Sequence, residues 1–290
     1  MADKAKDLIR TYEPAGDAKG FFGSLKTAWA EIFFSRHVIW HLFKRDFVAQ
    51  FRQKLLGYFW VVIAPLLAIL PFVFLYRTGI LNPGETPMPY PIYIVIGMGI
   101  WGFLSNVFVV VSGGLQGNQD LIMKTNIPKI TFAITGMANV FYSILVHWLV
   151  VLFFSLLLGI SPSVWALIYP IVLLPVVFIG LGLGLIFSVI GTVARDLTGI
   201  MSTFLNLLMF LSPVVYKPEF GDGLLATIVA WNPMTYLIDA PRSLFVLGDF
   251  PDPQGFAIAT VFSLVVLSLG LHSFYLIKDK VGSGYDGNRR

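Results

Sequence analysis

The sequence has 290 residues, of which 57% are hydrophobic and 12% charged, with a formal net charge of +4 and a mean hydropathy of +0.79. These values exclude a soluble globular domain and are typical of an all-α integral membrane protein that crosses the bilayer several times. Cysteine is absent, which also excludes disulfides, thiolate nucleophiles and cysteine metal sites.

The N-terminal 57 residues precede the first long apolar stretch. Residues 1–20 are predicted to be a mobile cytoplasmic tail, and residues 21–57 to form amphipathic interface helices with a break near 35–37. In the second helix large apolar residues recur at every fourth position. This helix is expected to lie in the headgroup region with its apolar face towards the acyl chains, either anchoring the first span or transmitting force from a partner into it. The apolar face is Ile39, Phe43, Phe47, Phe51 and Leu55, and the polar side includes Lys44, Arg45, Asp46 and Arg52.

Six charge-free stretches in the domain 58–277 are long enough to cross the ~30 Å hydrocarbon core of a bilayer. With six transmembrane helices, 17 of the 20 Lys and Arg residues lie on the side of the N-terminus, which the positive-inside rule makes cytoplasmic. Residues 278–290 then form a cytoplasmic tail, and the basic charge indicates membrane orientation rather than nucleic-acid binding. The predicted spans are residues 59–76, 92–111, 134–159, 165–193, 200–216 and 256–277.

The apolar segment 223–247, between the fifth and sixth spans, differs from the spans because Asn232 and Pro233 interrupt it. Asn as N-cap with Pro at the first helical position starts a new helix, which predicts a re-entrant helix pair instead of a seventh span. In the second helix of the pair, Asp239 and Arg242 are three residues apart on one face and close enough to form an ion pair. Such a pair would either hold an outer gate shut or serve only as a structural contact.

The predicted spans contain no Asp, Glu, Lys or Arg, the residues that usually mark proton relays and ion coupling inside a membrane. A proton- or sodium-driven transporter is therefore disfavoured. No HExxH, GxSxG or paired-carboxylate pattern indicates an intramembrane enzyme, and no metal site or cofactor is predicted. His147 and His272 are isolated and are expected to be packed, hydrogen-bonded histidines. A GxxxxGK[ST] loop is also absent, so an energised pump would need its ATPase on another polypeptide.

Two further features allow alternative interpretations. The loop between the second and third spans carries Leu121, Ile122 and Ile127 on a surface that should face water, where such residues either contact a protein partner or pack on their own bundle. Aromatic residues make up 15% of the chain, and most would form interfacial belts at the ends of spans. If the first span lines a pore, its rings would instead offer stacking contacts to a sliding sugar polymer; these candidates are Phe59, Trp60, Phe72 and Phe74.

Four blocks of the sequence resemble the membrane subunit of ABC-2 type exporters, and in particular the polysaccharide-exporting branch of that family. The block KRDFVAQFRQKLLGYFWVVIAPLL is similar to the family's basic N-terminal helix and first span, and QDLIMKTNIPK to its coupling segment. The blocks ARDLTGIMSTFLNLLMFLSPVVY and WNPMTYLIDAPRSLF are similar to its fifth span and its re-entrant outer segment. The blocks occur in the family's order and together cover roughly residues 40–280, nearly the whole chain except the tails.

The resemblance implies a homodimer of this subunit on two copies of a separate cytoplasmic ABC ATPase, which binds ATP and Mg. The loop after the second span would be the coupling segment seated in the ATPase, and the amphipathic helix a second contact. Spans one and five would line the channel, and the re-entrant helices would close its outer mouth. The implied coupling residues are Asp120, Leu121, Ile122, Lys124, Ile127, Pro128 and Lys129. The channel residues add Tyr58, Phe204, Phe210 and Tyr216, and the outer gate is Trp231, Asn232, Pro233, Tyr236, Asp239 and Arg242.

The implied cargo is a polysaccharide linked to a polyprenyl lipid, moved from the cytoplasm to the outer face of the bacterial inner membrane, with both termini of the chain cytoplasmic. The ending of the fifth span, SPVVY, is most similar to O-antigen and teichoic-acid exporters. O-antigen, a part of lipopolysaccharide, is favoured over teichoic acid and capsular polysaccharide. Two other interpretations stay open: a small-molecule or drug ABC-2 exporter, and a membrane glycosyltransferase with acidic residues on an outer loop. The chain would not be an enzyme by itself.

Overall fold

The computed structural model describes residues 20–52, 59–218 and 223–277, with the side chains described except at 49–52 and 59–62. Regular secondary structure in these ranges is helical throughout, which confirms the predicted all-α class. The helices are α1 (Phe21–Phe34), α2 (Arg36–Arg52), α3 (Phe59–Arg77), α4 (Tyr90–Gly117), α5 (Gln119–Lys124), α6 (Lys129–Ile134), α7 (Met137–Leu157), α8 (Tyr169–Val172), α9 (Leu174–Val193), α10 (Arg195–Leu211), α11 (Leu224–Trp231), α12 (Pro233–Val246) and α13 (Pro253–Ile277), with a 3-10 turn at Val164–Ile168.

Four helical stretches in the described part of the chain are long and apolar enough to cross a bilayer: Tyr90–Gly117, Lys129–Leu157, Val164–Val193 and Pro253–Ile277. They correspond to the second, third, fourth and sixth predicted spans. The other two predicted spans fall on α3, which contains the shorter apolar helix Ile63–Arg77, and on α10, which has 17 residues. Since a span needs about 20 residues, the total of six stays a prediction.

The centre of the bundle is α9, which packs between α4 and α13. Glycines make these contacts close. Gly180 and Gly184 lie against two valines of α4, and a Cβ on either glycine would come within 2.8 Å of a valine Cβ. On another side of α9, Gly182 faces Gly270 of α13, where an added Cβ would meet the backbone of the partner helix. Small residues of this kind let membrane helices approach closely enough for dense packing.

Helix α1 packs on the C-terminal part of α13 through polar side chains. Glu31 is buried, and its carboxylate accepts a hydrogen bond of 2.6 Å from the hydroxyl of Tyr275. Ser24 is also buried, and its hydroxyl oxygen lies 3.2 Å from Nδ1 of His272. These contacts fix α1 to the last helix of the bundle. The expectation of a packed, hydrogen-bonded histidine is therefore confirmed for His272. His147 of α7 is buried as expected, but no described residue forms a hydrogen bond with its Nε2.

The predicted break between the N-terminal helices is confirmed at Ser35, but the predicted environment of α2 is wrong in part. Phe43 and Phe47 of its apolar face are half-buried, and the rings of Phe47 and Tyr142 of α7 meet edge to face with centroids 5.0 Å apart. Part of this face therefore packs on α6 and α7, while the side chain of Phe51 and all of Leu55 lie outside what the structure describes. Periodicity identifies which residues share a face, whereas tertiary packing decides what covers that face.

Two short helices lie between α10 and α13, as the sequence predicts. Helix α11 has 8 residues and α12 has 14, so both are shorter than the roughly 20 residues that cross a bilayer. The side-chain oxygen of Asn232 accepts a hydrogen bond of 2.9 Å from the N–H of Met234, and Pro233 takes the first helical position. This cap confirms the predicted start of α12. Most of α12 is buried, and it packs on α13 and α4.

Candidate functional site

Arg242 of α12 is a buried charge whose side chain is fully shielded from solvent. Its guanidinium carbon lies 3.6 Å from the centre of the Tyr93 ring in α4. Nη1 and Nη2 each donate a hydrogen bond of 3.3 Å to the carbonyl of Pro213, and Nη2 also donates to the carbonyl of Val214 at 3.0 Å. An aromatic face and backbone dipoles therefore stabilise a cation whose burial without partners would be strongly unfavourable.

Helix α4 binds the next two carbonyls. The hydroxyl of Tyr90 donates to the carbonyl of Val215 at 3.0 Å, and the hydroxyl of Tyr93 donates to the carbonyl of Tyr216 at 2.8 Å. Four successive carbonyls just beyond the end of α10 are thus bound by side chains of α4 and α12. We call this arrangement, made of Arg242, Tyr90, Tyr93 and the carbonyls of residues 213–216, the arginine clamp.

The predicted ion pair between Asp239 and Arg242 is wrong. Within the ranges that the structure describes, neither residue has an oppositely charged atom within 4.0 Å, and the ion pair found there joins Arg45 to Asp46. A spacing of three residues does bring two side chains to one helical face. Here, however, the carbonyls 28 and 29 residues earlier in the chain compete successfully for the guanidinium donors. Arg242 therefore connects α12 to α10 rather than to its own helix.

Other residues of the predicted outer gate reach the same end of α10. Nδ2 of Asn232 donates a hydrogen bond of 2.8 Å to the hydroxyl of Ser212, which ties the start of α12 to the end of α10. The hydroxyl of Tyr236 donates to the carbonyl of Ala230 at 2.8 Å and closes the turn between α11 and α12. Trp231, by contrast, is 85% exposed. The structure thus places Asn232 beside the clamp, uses Tyr236 at the turn between α11 and α12, and leaves Trp231 exposed.

One side of α10 is left uncovered by the described chain. A groove of about 690 Å³ runs along this side, from Arg195 and Asp196 at the start of the helix to Leu207. The side is mixed in character, since exposed polar residues stand among the apolar ones. Polar side chains in membrane helices usually face protein or a water-filled cavity, so this side has the composition of a path lining. Its exposed residues are Ile200, Thr203, Phe204, Asn206, Leu207 and Phe210.

The predicted channel residues of α3 separate into two groups. Phe74 is 64% exposed, whereas Phe72 packs against the core of the bundle. Because α3 packs chiefly on α4, much of its circumference is open. Of the remaining predictions, Tyr58 lies outside the described residues, and Arg52, Phe59 and Trp60 lie outside the described side chains.

The loop after α4 contains the predicted short helix, α5, followed by a turn at a buried Pro128. Its apolar residues pack partly on the core of the same bundle, which favours the second of the two interpretations given for them. Met123 is 65% exposed, and an apolar run in the sequence does not reveal which of its residues faces outwards. The packed residues are Leu121, Ile122 and Ile127; Asp120 and Lys124 are exposed, and Lys129 is half-buried at the start of α6.

The basic helix α2 reaches this loop. Arg45 donates through Nε to Asp46 at 2.8 Å and through Nη2 to Oδ1 of Asn118 at 3.5 Å. Asn118 immediately precedes α5, and Lys44 is exposed beside the contact. The predicted interface helix and the predicted coupling segment, 73 residues apart at this contact, are therefore neighbours in space.

Residues 37–246 match the protein family described as ABC-2 type transporter. The O-antigen export system permease protein RfbA of Myxococcus xanthus is 25% identical over 247 residues, 82% of this chain and 91% of that protein. RfbA of Klebsiella pneumoniae is 23% identical over 240 residues, 81% of this chain and 89% of the relative. The polysialic acid transport protein KpsM of Escherichia coli is 22% identical over 240 residues, 79% of this chain and 89% of the relative. Since the family match covers well over half of its length, the chain belongs to the ABC-2 type transporter family.

Proposed function

We propose that this chain is the membrane subunit of an ATP-driven polysaccharide exporter. The observation that carries the proposal is the extent of the matches to relatives named for O-antigen export and for polysialic acid transport. These matches cover 79–82% of this chain and 89–91% of the relatives. Identity is low, but the family match, residues 37–246, includes the clamp residues, the mixed side of α10 and the loop at α5.

The energy for export would come from a separate ATPase that binds ATP and Mg. The sequence has neither a Walker loop nor charged residues within its predicted spans for ion coupling. Asp120, Met123 and Lys124 are the side chains that α5 exposes, and they are proposed to contact the ATPase. Because Arg45 lies within 3.5 Å of Asn118 at the start of α5, the ATPase could contact α2 and α5 at the same time.

The path for the polymer is proposed to lie between two copies of the chain. Within the described part of a single copy, no residue covers the mixed side of α10 or the Phe74 side of α3. A two-fold axis would place equivalent helices of two copies opposite each other and enclose a passage. In that passage Phe204 would offer its ring to sugar rings, while Thr203 and Asn206 would offer hydrogen bonds to their hydroxyls.

The arginine clamp is proposed to set the outer gate of this path. With both termini cytoplasmic, as the positive-inside rule favours, the C-terminal end of α10 lies at the outer face of the bacterial inner membrane. Arg242 and Asn232 join α12 to that end. Helices α11 and α12 would therefore follow the movements of α10 as one unit.

The proposed cargo is O-antigen on a polyprenyl carrier, since two of the relatives carry that name. A capsular polysaccharide is the second candidate, and the match to KpsM favours it. None of the three relatives is named for teichoic acid, for a drug or for a glycosyltransferase.

The test combines deletion of the chain in its own organism with gentle purification of the tagged protein. Deletion should abolish the surface polysaccharide and cause its lipid-linked precursor to accumulate inside the cell, and the wild-type chain should reverse both effects. Mass spectrometry of the purified protein should find an ATPase near one-to-one together with a polyprenyl-linked glycan. Unchanged surface polysaccharide in the deletion strain would overturn the proposal.

A further inference from the structure

A second groove lies beyond the C-terminal end of α10. It has a volume of about 660 Å³ and lies between the loop at Asn82, the end of α10 and helix α11. Phe210, Tyr216 and Lys217 line it on the side of α10, and apolar residues such as Leu224 line it on the side of α11. This volume is within the range of roughly 300–1,000 Å³ that is typical of small-molecule sites. We call it the outer groove.

The polar side of the outer groove is held in place by hydrogen bonds. The carbonyl of Tyr216 accepts from Tyr93 at 2.8 Å, and the N–H of Lys217 donates to the carbonyl of Pro83 at 2.9 Å. Oδ1 of Asn82 accepts from the backbone N–H two residues later at 3.1 Å, which leaves the amide Nδ2 as a donor. Both the C=O and the N–H of the Tyr216–Lys217 peptide are therefore hydrogen-bonded. Because this wall is already ordered, binding a ligand there would cost little conformational entropy.

The described lining of the outer groove fits an acidic saccharide. The rings of Phe210 and Tyr216 present apolar faces on which the C–H faces of sugar rings pack. The amide of Asn82 suits a sugar hydroxyl, and the ammonium of Lys217 suits a carboxylate or phosphate through a charge-assisted hydrogen bond. A purely apolar ligand would desolvate both polar groups without replacing their hydrogen bonds, which is unfavourable.

The location of the outer groove supports the same conclusion. Phe210 belongs both to the uncovered side of α10 and to the lining of the groove. A chain that leaves along this side, past Phe204, therefore meets the outer groove next. The groove thus continues the path and is not an isolated surface depression.

We propose that the outer groove is an exit subsite that binds a segment of an acidic glycan, with sugar rings on Phe210 and Tyr216 and an acidic group on Lys217. The inference rests on the proposed function and narrows its substrate class. The exported polymer bears carboxylate or phosphate groups, and it contacts this subsite before it leaves the protein.

The test uses the full chain, purified gently with the subunits that accompany it and placed in lipid nanodiscs. Two probes of equal length are compared at low salt: maltohexaose, which is neutral, and hexagalacturonate, which is acidic. The acidic probe should bind about tenfold more tightly, and Lys217→Gln should remove that difference. Phe210→Leu and Tyr216→Leu should each weaken binding of both probes about three- to tenfold, because each removes an aromatic face.

Matched controls repeat the same replacements elsewhere. Lys26→Gln on α1 and Phe153→Leu on α7 alter exposed residues of the same types, and both variants should bind the probes as the wild type does. Equal affinity for the two probes in the wild type, with no effect of Lys217→Gln, would overturn the assignment of an acidic ligand. Unchanged binding in both Phe210→Leu and Tyr216→Leu would overturn the subsite itself.

Surface polysaccharide measured in the same variants separates this inference from the proposed function. If deletion of the chain leaves export unchanged while the groove variants lose probe binding, the proposed function fails, and the groove is a glycan-binding site that is not part of an export path. If export requires the chain but the groove variants bind both probes as the wild type does, the subsite is wrong and the proposed exporter function is retained.

Discussion

Arg242 of α12 lies with its guanidinium carbon 3.6 Å from the centre of the Tyr93 ring of α4, while its Nη atoms donate to carbonyls beyond the end of α10. One side chain therefore joins three helices. Tyr93 contributes twice, since its ring faces the cation and its hydroxyl binds the carbonyl of Tyr216. Arg242 therefore links α12 directly to the segment at the end of α10.

Replacement of the cation is the first test. Arg242→Lys should lower the free energy of unfolding by about 2–4 kcal/mol, because an ammonium cannot bridge two carbonyls and also cover the ring of Tyr93. Asp239→Asn should change it by less than about 1 kcal/mol, because Asp239 forms no ion pair with a described residue. Chemical unfolding in detergent, followed by tryptophan fluorescence, measures both. Equal losses of unfolding free energy in the two variants would contradict the structure and indicate an ion pair between Asp239 and Arg242.

The clamp also requires a glycine in α4. A Cβ on Gly97 would collide with Nη2 of Arg242 and with the carbonyl oxygen of Val214, whereas a Cβ on Gly102, in the same helix, would meet no atom within 4 Å. Gly97→Ala should therefore destabilise the protein by about 1–3 kcal/mol through overpacking. Gly102→Ala should be neutral or stabilising by up to about 1 kcal/mol, because alanine favours helix. The two alanine variants are compared in one unfolding series, and equal stabilities would contradict the geometry of the clamp.

Features that depend on local chemistry could be predicted from the sequence. The start of α12 is one, because Asn232 and Pro233 supply both a cap and the first helical residue within the same turn. The break at Ser35 and the short helix α5 are others. Apolar length also located four helical stretches that are able to cross a membrane.

Contacts between distant segments were not predictable in this way. The partners of Arg242 are backbone carbonyls, which every residue has, so no side-chain pattern identifies them. Glu31 and Tyr275 are 244 residues apart. The apolar face of α2 illustrates a different limit, since Phe47 has the spacing of a lipid-facing residue but packs on Tyr142. Hydrophobic periodicity indicates that a helix face is covered by apolar groups, but it does not distinguish protein side chains from lipid acyl chains.

The loop at α5 allows a test of the proposed contact with an ATPase. Asp120 and Met123 are exposed, so Asp120→Arg and Met123→Glu should leave folding unchanged. Each should lower stimulated ATP hydrolysis and export about tenfold, as expected for central residues of an interface. Lys26→Glu, an equally exposed change of charge on α1, is the control. Pro128 of the same loop offers no comparable test, because it is buried and a large side chain there would disturb folding itself. Full activity in both loop variants would exclude this loop as the coupling contact.

The contact between Glu31 and Tyr275 predicts how firmly α1 is attached. Tyr275→Phe removes the hydroxyl that donates to the buried carboxylate, and a buried acceptor that loses a donor costs about 1–3 kcal/mol. Trypsin cleavage at Lys26, on the exposed side of α1, should therefore accelerate about fivefold or more, because cleavage follows local opening. Tyr76→Phe, at a tyrosine that is 41% exposed on α3, should leave the rate unchanged. Glu31→Gln should have a smaller effect than Tyr275→Phe, since an amide oxygen still accepts the hydrogen bond from Tyr275. If Tyr275→Phe and Tyr76→Phe are cleaved at the same rate, α1 is held by its other contacts and not by this hydrogen bond.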